Sequence, residues 1–232
     1  MKWRSRWESH LEDLQSRGED LSLQGLGHEL RVPPPIEKLL RLRGCLDSRE
    51  WATLFQPKMA HLKSPFLMKG MEEAVERLVL AHERQETVCL YADFDLDGTS
   101  GLALALEAFS QMGFAKVLPC QPRRLADGYG FHDFLVREKV GEGAQIFVTI
   151  DVGITGNAAC EEAKRLGVDV IVTDHHQVGA ELPRALAVVN PNQPGCQSGL
   201  GYLCGAGVVF YLIRALKRRL VESGRLQDSE LS

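Results

Sequence analysis

Five short apolar runs alternate with helix-like segments from residue 87 onward, and this pattern limits the fold more than any other feature of the chain. The apolar runs are residues 88–91, 116–120, 145–150, 168–173 and 186–189. Helices are predicted over residues 99–112, 133–139, 157–166 and 206–220. Strands that are apolar throughout and alternate with helices are typical of a parallel sheet covered on both faces. We therefore predict an α/β fold with a parallel sheet of five or more strands and helices on both faces.

The residues before this pattern show helical periodicity instead. Three prolines at 33–35 precede a helix-like run at 36–43 that ends at Gly44. Residues 68–85 carry apolar side chains at helical spacing. We predict a small helical N-terminal segment over residues 1–84 and an α/β domain over residues 85–232.

Composition excludes several classes of protein. Hydrophobic residues make up 44% of the 232 and charged residues 25%, which is ordinary for a globular protein. The net charge of −4 argues against a protein that coats nucleic acid generally, although a local basic groove stays open. The six cysteines include no C-x-x-C pair, so neither a zinc knuckle nor a redox pair is indicated. With no signal-peptide core and no apolar run long enough to cross a bilayer, we expect a cytoplasmic protein without membrane contact.

Polar residues follow each apolar run and indicate a common site. Asp93, Asp95 and Asp97 come after the first run, and Asp151 comes after the third. The other groups are Arg123, Arg124 and Asp127-Gly128-Tyr129-Gly130 after the second run, Asp174-His175-His176 after the fourth, and Asn190-Pro191-Asn192 after the fifth. In an open parallel sheet, ligands bind beyond the carboxyl ends of the strands, so these groups share one edge. Carboxylates and imidazoles concentrated there predict a site for a divalent metal.

A calcium loop is the main alternative for the acidic stretch. Residues 93–98 match the opening of the D-x-D-x-D-G pattern, but the position that requires a bidentate Glu is Leu104. The stretch also leads from a strand into a helix, whereas a calcium loop of this kind joins two helices. The calcium interpretation is therefore excluded. Asp-His-His taken alone would fit a surface pair as well as a metal site, and the other strand-end carboxylates favour the metal site.

With these residues in view, the chain resembles the DHH phosphoesterase superfamily, and more closely its RecJ branch of single-strand-specific DNA exonucleases. The three motifs that carry the resemblance are Asp93-Phe94-Asp95-Leu96-Asp97-Gly98, Ile150-Asp151-Val152-Gly153-Ile154 and Asp174-His175-His176. Runs more specific to the RecJ branch are residues 122–130, 189–196 and 203–208. The resemblance covers most of the chain. It departs from the family pattern at Ala92, Val152 and His132, which alter the fit of the site more than its ligands.

The resemblance implies hydrolysis of single-stranded DNA from the 5′ end, in repair and recombination, with two Mn²⁺ or Mg²⁺ ions. Two such ions can lower the pKa of a bridging water and stabilise attacking and leaving oxygens. We assign metal-ligand roles to Asp93, Asp95, Asp97, Asp151, Asp174 and His175, with Asp151 able to bridge the ions. The catalytic set is Asp95, Asp97, Asp151, His175 and His176. Substrate contacts are assigned to Arg124, Tyr129 and His176. The resemblance also implies a single-strand-binding protein and a helicase as partners.

Other functions stay open at this point. Within the superfamily the site would also suit an oligoribonuclease or a cyclic-dinucleotide phosphodiesterase, and a different class is a nucleic-acid-binding protein without turnover. The family's fourth motif and second domain would lie beyond residue 232, so we interpret these residues as the N-terminal part of a RecJ-type nuclease. On that interpretation we expect the 232 residues to fold but to be a poor nuclease alone.

Overall fold

The structure, a computed structural model, describes residue 16, residues 33–44, residue 51 and residues 54–227. Contacts divide the chain into two compact units, Met1–Lys63 and Ser64–Ser232. In the first unit, helix α1 spans Pro34–Leu42 and a 3₁₀ turn spans Met59–His61, so the helix predicted at residues 36–43 is present. Residues 1–32 of the predicted helical segment, apart from Ser16, lie outside the described residues.

The second unit contains the alternating strands and helices. It opens with a 3₁₀ turn at Pro65–Leu67. Its strands are β1 (Thr87–Ala92), β2 (Lys116–Cys120), β3 (Ile146–Ile150), β4 (Asp169–Thr173) and β5 (Ala187–Val189). Its helices are α2 (Met71–Glu83), α3 (Leu96–Gln111), α4 (Asp133–Gly141), α5 (Asn157–Arg165) and α6 (Gly205–Glu222). Each predicted strand is present, with bounds that differ by one residue at most.

The five strands form one parallel sheet in the order β2-β1-β3-β4-β5. Chain order therefore reverses next to β1, and the crevice between β1 and β3 is where doubly wound sheets bind their ligands. Every residue of β3 is buried, as is every residue of β1 after Thr87. The predicted parallel α/β sheet is confirmed.

Alternate residues of each strand pack into two separate hydrophobic clusters. Leu90 and Val148 belong to a cluster built with α2, α3 and α6. Tyr91 and Phe147 belong to a second cluster built with α4 and α5. Because successive strand side chains point to opposite faces, the two clusters show that helices cover both faces of the sheet.

Helix α2 belongs to the same compact unit as the sheet, which begins at Ser64. It buries Met71, Val75 and Leu78 in the cluster that covers β1 and β3. The predicted boundary at residue 84 would place this helix outside the α/β domain, so the compact unit is larger than the predicted domain at its N-terminal end. Within the part of the chain that the structure describes, no helix has the length and apolar character that crossing a bilayer requires.

Candidate metal centre

Three aspartates stand side by side, one residue beyond the ends of three neighbouring strands. Asp93, Asp151 and Asp174 are each at most 2% exposed. Their backbone N–H groups donate to the last carbonyls of the neighbouring strands at 3.0–3.1 Å, namely Asp93 to Ile150, Asp151 to Thr173 and Asp174 to Val189. The parallel ladder thus continues for one residue and fixes the spacing of the carboxylates.

Asp151 has the most unusual environment of the three. Its φ is +60°, a region that non-glycine residues rarely occupy and whose occupants cluster at functional sites. Burial, together with the nearby charges of Asp97 and Asp95, raises the pKa of its carboxyl to about 8. Its buried Oδ1 has no hydrogen-bond partner, although Nε2 of His175 lies 3.2 Å away. A buried carboxylate oxygen without a partner marks a place where a cation fits.

Two groups of possible metal ligands meet at Asp151. One comprises Asp93, Asp95 and Asp151, and the other comprises Asp151, His175 and His176, with ligand atoms within 4.8 Å of one another in each group. Asp93 Oδ1 is also buried without a partner, and burial raises the pKa of that carboxyl. Carboxylate oxygens with one or two imidazoles suit Mg²⁺ or Mn²⁺, so the residues present fit the predicted pair of ions.

Asp95 and Gly98 place the start of helix α3 against β1. Asp95 Oδ1 accepts a hydrogen bond from the Gly98 N–H at 3.0 Å, which caps the first turn of the helix. A Cβ on Gly98 would lie 2.3 Å from the carbonyl oxygen of Asp93, so only glycine allows this close approach. The cap therefore fixes Asp95 next to the buried Asp93.

Asp97 connects the first motif to helix α6. Its two carboxylate oxygens accept hydrogen bonds from the N–H groups of Gly205 (2.6 Å) and Ala206 (2.8 Å), the first residues of that helix. Burial raises the pKa of Asp97, but these two hydrogen bonds outweigh the effect and leave it lowered. His175 Nε2 lies 3.6 Å from Asp97 Oδ2. Among the described residues, Asp97 is in neither ligand group, and its predicted role as a metal ligand stays a prediction.

Asp174 makes four hydrogen bonds with its carboxylate. Oδ2 accepts from the Ile154 N–H at 2.9 Å, and Oδ1 accepts from the N–H groups of His175 (2.7 Å) and His176 (3.0 Å). The fourth bond joins Oδ1 to Nδ1 of the His176 ring at 2.7 Å. Burial lowers the pKa of His176, but the bond to Asp174 raises it above the ordinary value. These bonds give Asp174 an orienting role, and the structure places it outside both ligand groups.

Two of the three residues predicted to contact substrate, Arg124 and Tyr129, lie on the loop after β2, and the third, His176, follows β4. Tyr129 is 53% exposed, and its ring makes an edge contact with His176 at 6.2 Å between centroids. The exposed guanidinium of Arg124 lies over the ring of Phe94, 5.5 Å from its centroid. Its neighbour Arg123 is engaged instead with Asp127, at 2.9 Å. The loop therefore leaves Arg124 and Tyr129 at the rim of the carboxylate site.

Several residues that support the site were not assigned from the sequence. Gln121 donates to the carbonyl of Asp93 at 2.8 Å, and Ile154 and Gly205 donate backbone N–H groups to Asp174 and Asp97. Almost any residue type can donate a backbone N–H group, so the sequence does not indicate which residues make these hydrogen bonds. Asn190 and Asn192 hold the backbone carbonyls of the two histidines. The sequence indicated these two asparagines only through their position directly after the fifth strand.

The fold and this edge define an α/β domain whose strand-end carboxylates and histidines are arranged to bind divalent metal. Residues 87–231 match the DHH family, N-terminal domain, and the chain belongs to the DHH family. It is 38% identical over 212 residues to the single-stranded-DNA-specific exonuclease RecJ of Bacillus subtilis (strain 168), covering 91% of this chain and 26% of that protein. It is 34% identical over 201 residues to the exonuclease of the same name from Escherichia coli (strain K12), covering 87% of this chain and 34% of that protein.

Solved structures give the same relationship. A crystal structure of exonuclease RecJ bound to manganese matches with a TM-score of 0.61 at 37% identity, covering 66% of this chain and 38% of that one. RecJ from Thermus thermophilus in complex with Mn²⁺ matches with a TM-score of 0.58 at 32% identity, over 74% of this chain and 24% of that one. The chain thus spans about a quarter to a third of the length of the curated relatives named above.

Proposed function

We propose that this protein hydrolyses phosphodiester bonds of single-stranded DNA as a metal-dependent 5′-to-3′ exonuclease in repair and recombination. The observation that carries the proposal is that Asp151 belongs to both ligand groups and has a buried Oδ1 without a hydrogen-bond partner. The similarity to RecJ proteins supports the choice of substrate. The deciding assay is release of nucleotides from 5′-labelled single-stranded DNA with Mn²⁺, measured on the 232 residues and on a longer form that spans the length of the RecJ relatives. Its comparison substrates are duplex DNA, short oligoribonucleotides and a cyclic dinucleotide.

Asp93, Asp95, Asp151 and His175 would hold the metal, with Asp97 as a further ligand. Similar RecJ structures contain Mn²⁺ or Mg²⁺. Two ions, when bound, supply a water of lowered pKa and neutralise negative charge on the phosphate.

His176 is suited to contact the substrate. Its Nδ1 is bonded to Asp174, which leaves Nε2 as the free ring nitrogen. The raised pKa keeps more of the imidazole protonated near neutral pH, so His176 can donate to a phosphate oxygen. Tyr129 contacts the same ring and would orient it against the bound strand. We place the protein in the cytoplasm, with a single-strand-binding protein and a helicase as partners.

Arg124→Ala is expected to raise the KM for single-stranded DNA about 10-fold and to leave kcat within about 2-fold. The guanidinium is exposed at the rim and contacts Phe94 of the first motif, where it can pair with a phosphate. Steady-state kinetics on a labelled oligonucleotide measures both constants. Arg184→Ala is the control, because this exposed arginine, paired with Glu161, precedes β5 at the opposite edge of the sheet. An equal increase in KM in the two variants would show that Arg124 does not contact the substrate.

Mn²⁺ affinity is expected to increase with pH up to about 8 and to level off above it. The Asp151 carboxyl holds a proton below its pKa of about 8, and that proton must leave when a metal binds. One displaced proton changes the apparent affinity by up to about 10-fold per pH unit. Calorimetric titrations at pH 7 in two buffers of different ionisation enthalpy measure the proton directly. Binding at pH 7 without proton release would show that Asp151 is already charged or is not a ligand.

A further inference from the structure

The peptide groups of His175 and His176 lie outside the sheet, because β4 ends at Thr173. All four of their polar backbone groups are nevertheless hydrogen-bonded. The two N–H groups donate to Asp174 Oδ1, and the two carbonyls accept from asparagine side chains. Asn192 Nδ2 donates to the His175 carbonyl at 2.6 Å, and Asn190 Nδ2 donates to the His176 carbonyl at 3.0 Å. The peptide plane between His175 and His176 is therefore held at both its carbonyl and its N–H, and each of the two flanking planes is held by one of these hydrogen bonds.

Side-chain packing alone holds the two imidazoles poorly. The His175 side chain is 30% exposed and the His176 side chain is 44% exposed. A rotation of either peptide would swing an imidazole away from Asp151, because the ring direction follows the backbone. The hydrogen bonds to the carbonyls thus restrain both rings, in addition to the direct bond between the His176 ring and Asp174.

The two asparagines are themselves rigidly placed. Asn190 is fully buried, one residue beyond β5. Its Oδ1 accepts the Asn192 N–H at 2.8 Å, which closes a tight turn. Gly201 leaves room for the Asn192 amide, since a Cβ on that glycine would lie 2.6 Å from Asn192 Oδ1. The sheet therefore fixes the position of the two asparagines, and their hydrogen bonds in turn fix the backbone of the two histidines.

We propose that Asn190 and Asn192 are positioning residues that hold His175 and His176 in metal-binding and substrate-binding geometry. The inference rests on the proposed function for its catalytic meaning. Groups that orient metal ligands without touching the metal typically change affinity about 10- to 100-fold when removed.

Asn192→Ala is expected to weaken Mn²⁺ binding at least about 10-fold and to shift the imidazole signals of His175 and His176 in metal-free ¹H–¹⁵N spectra. Gln193→Ala is the matched control. Its buried amide also makes two backbone hydrogen bonds, to the carbonyls of Lys69 (3.1 Å) and Val188 (2.7 Å), but none to a histidine. Both variants lose stability, whereas only Asn192→Ala should move the imidazole signals and the Mn²⁺ affinity.

Measurements well below the unfolding temperature separate positioning from loss of fold. Equal effects of Asn192→Ala and Gln193→Ala on the imidazole signals and on Mn²⁺ affinity would overturn the inference while leaving the proposed function standing. If the wild-type chain bound no Mn²⁺, the proposed function would fail. The metal-free spectra would then still decide whether Asn192 positions the histidines.

Discussion

Asp151→Asn is expected to weaken Mn²⁺ binding at least about 100-fold and to abolish hydrolysis while stabilising the metal-free fold. The carboxylate belongs to both ligand groups, so its loss removes a charged ligand from each ion. Asparagine keeps the shape of the side chain in its fully enclosed position. Calorimetric titration with Mn²⁺ and scanning calorimetry in a chelator measure the two effects. Asp133→Asn, a change to a half-exposed carboxylate on α4, is the control.

The gain in stability should depend on pH in a defined direction. The folded-state pKa of Asp151 is about 8, above the ordinary value of a carboxyl group near 4. The folded protein therefore binds this proton more tightly than the unfolded chain. The stability it contributes is fully present below about pH 4 and is lost progressively as pH rises to about 8.

At pH 8.5 the variant should unfold about 2–4 °C higher than the wild type, which corresponds to roughly 1 kcal/mol for a chain of this size. At pH 5.5 most of that gain should disappear. Unchanged Mn²⁺ affinity, or a lower unfolding temperature at pH 8.5, would contradict the role assigned to Asp151.

Gly205→Ala is expected to destabilise the fold by about 1–3 kcal/mol and to weaken Mn²⁺ binding at least about 10-fold. A Cβ at this position would lie 2.5–2.6 Å from Cβ, Cγ and Oδ1 of Asp151. Asp151 has no room to move, because it is buried and its backbone is already held at φ +60°. The new methyl group would therefore push α6 away, and with it the two N–H groups that bind Asp97.

Gly207→Ala is the matched control for this effect in the same helix. Its Cβ would meet the end of the flexible Leu203 side chain at 3.2 Å. Alanine is also the better helix former, so this variant should be neutral or slightly stabilising. Thermal unfolding and Mn²⁺ titration compare the two. Similar behaviour of the two glycine variants would mean that the contact between α6 and Asp151 does not hold the site together.

The sheet was predictable because its strands are buried on both faces. A run such as residues 146–150, apolar throughout and flanked by helices, leaves few alternatives to a covered parallel strand. Parallel strands also place their carboxyl ends at one edge, so the meeting of Asp93, Asp151 and His175 followed from the pattern. The observed strand bounds differ from the predicted ones by single residues, because hydrogen bonds to the neighbouring strands determine where each strand ends.

Helix α3 shows where the sequence was less informative. Its start was predicted at Thr99, after an acidic turn that follows the first strand. The structure starts it at Leu96, since the Asp95 side chain caps the helix and Asp97 lies in its first turn. Asp97 therefore faces the N-terminus of α6, a contact across 108 residues that no local pattern encodes.

The different roles of the aspartates were equally hidden. Asp174 and Asp151 occupy equivalent positions after neighbouring strands. The Asp174 carboxylate makes four hydrogen bonds, whereas Oδ1 of Asp151 has no hydrogen-bond partner. The difference comes from the loops around them. Local motifs identify the carboxylates, but only the tertiary contacts indicate which of them are free to bind a cation.

Anomalous diffraction at the manganese edge, from crystals of the protein soaked in Mn²⁺, shows whether Asp151 holds the metal. We expect density at the carboxyl edge of the sheet, in contact with Asp151 and bordered by Asp93 and Asp95 on one side and by His175 and His176 on the other. Crystals of Asp151→Asn should lose that density. Strong density elsewhere with none at Asp151, or density that persists unchanged in the variant, would contradict this expectation.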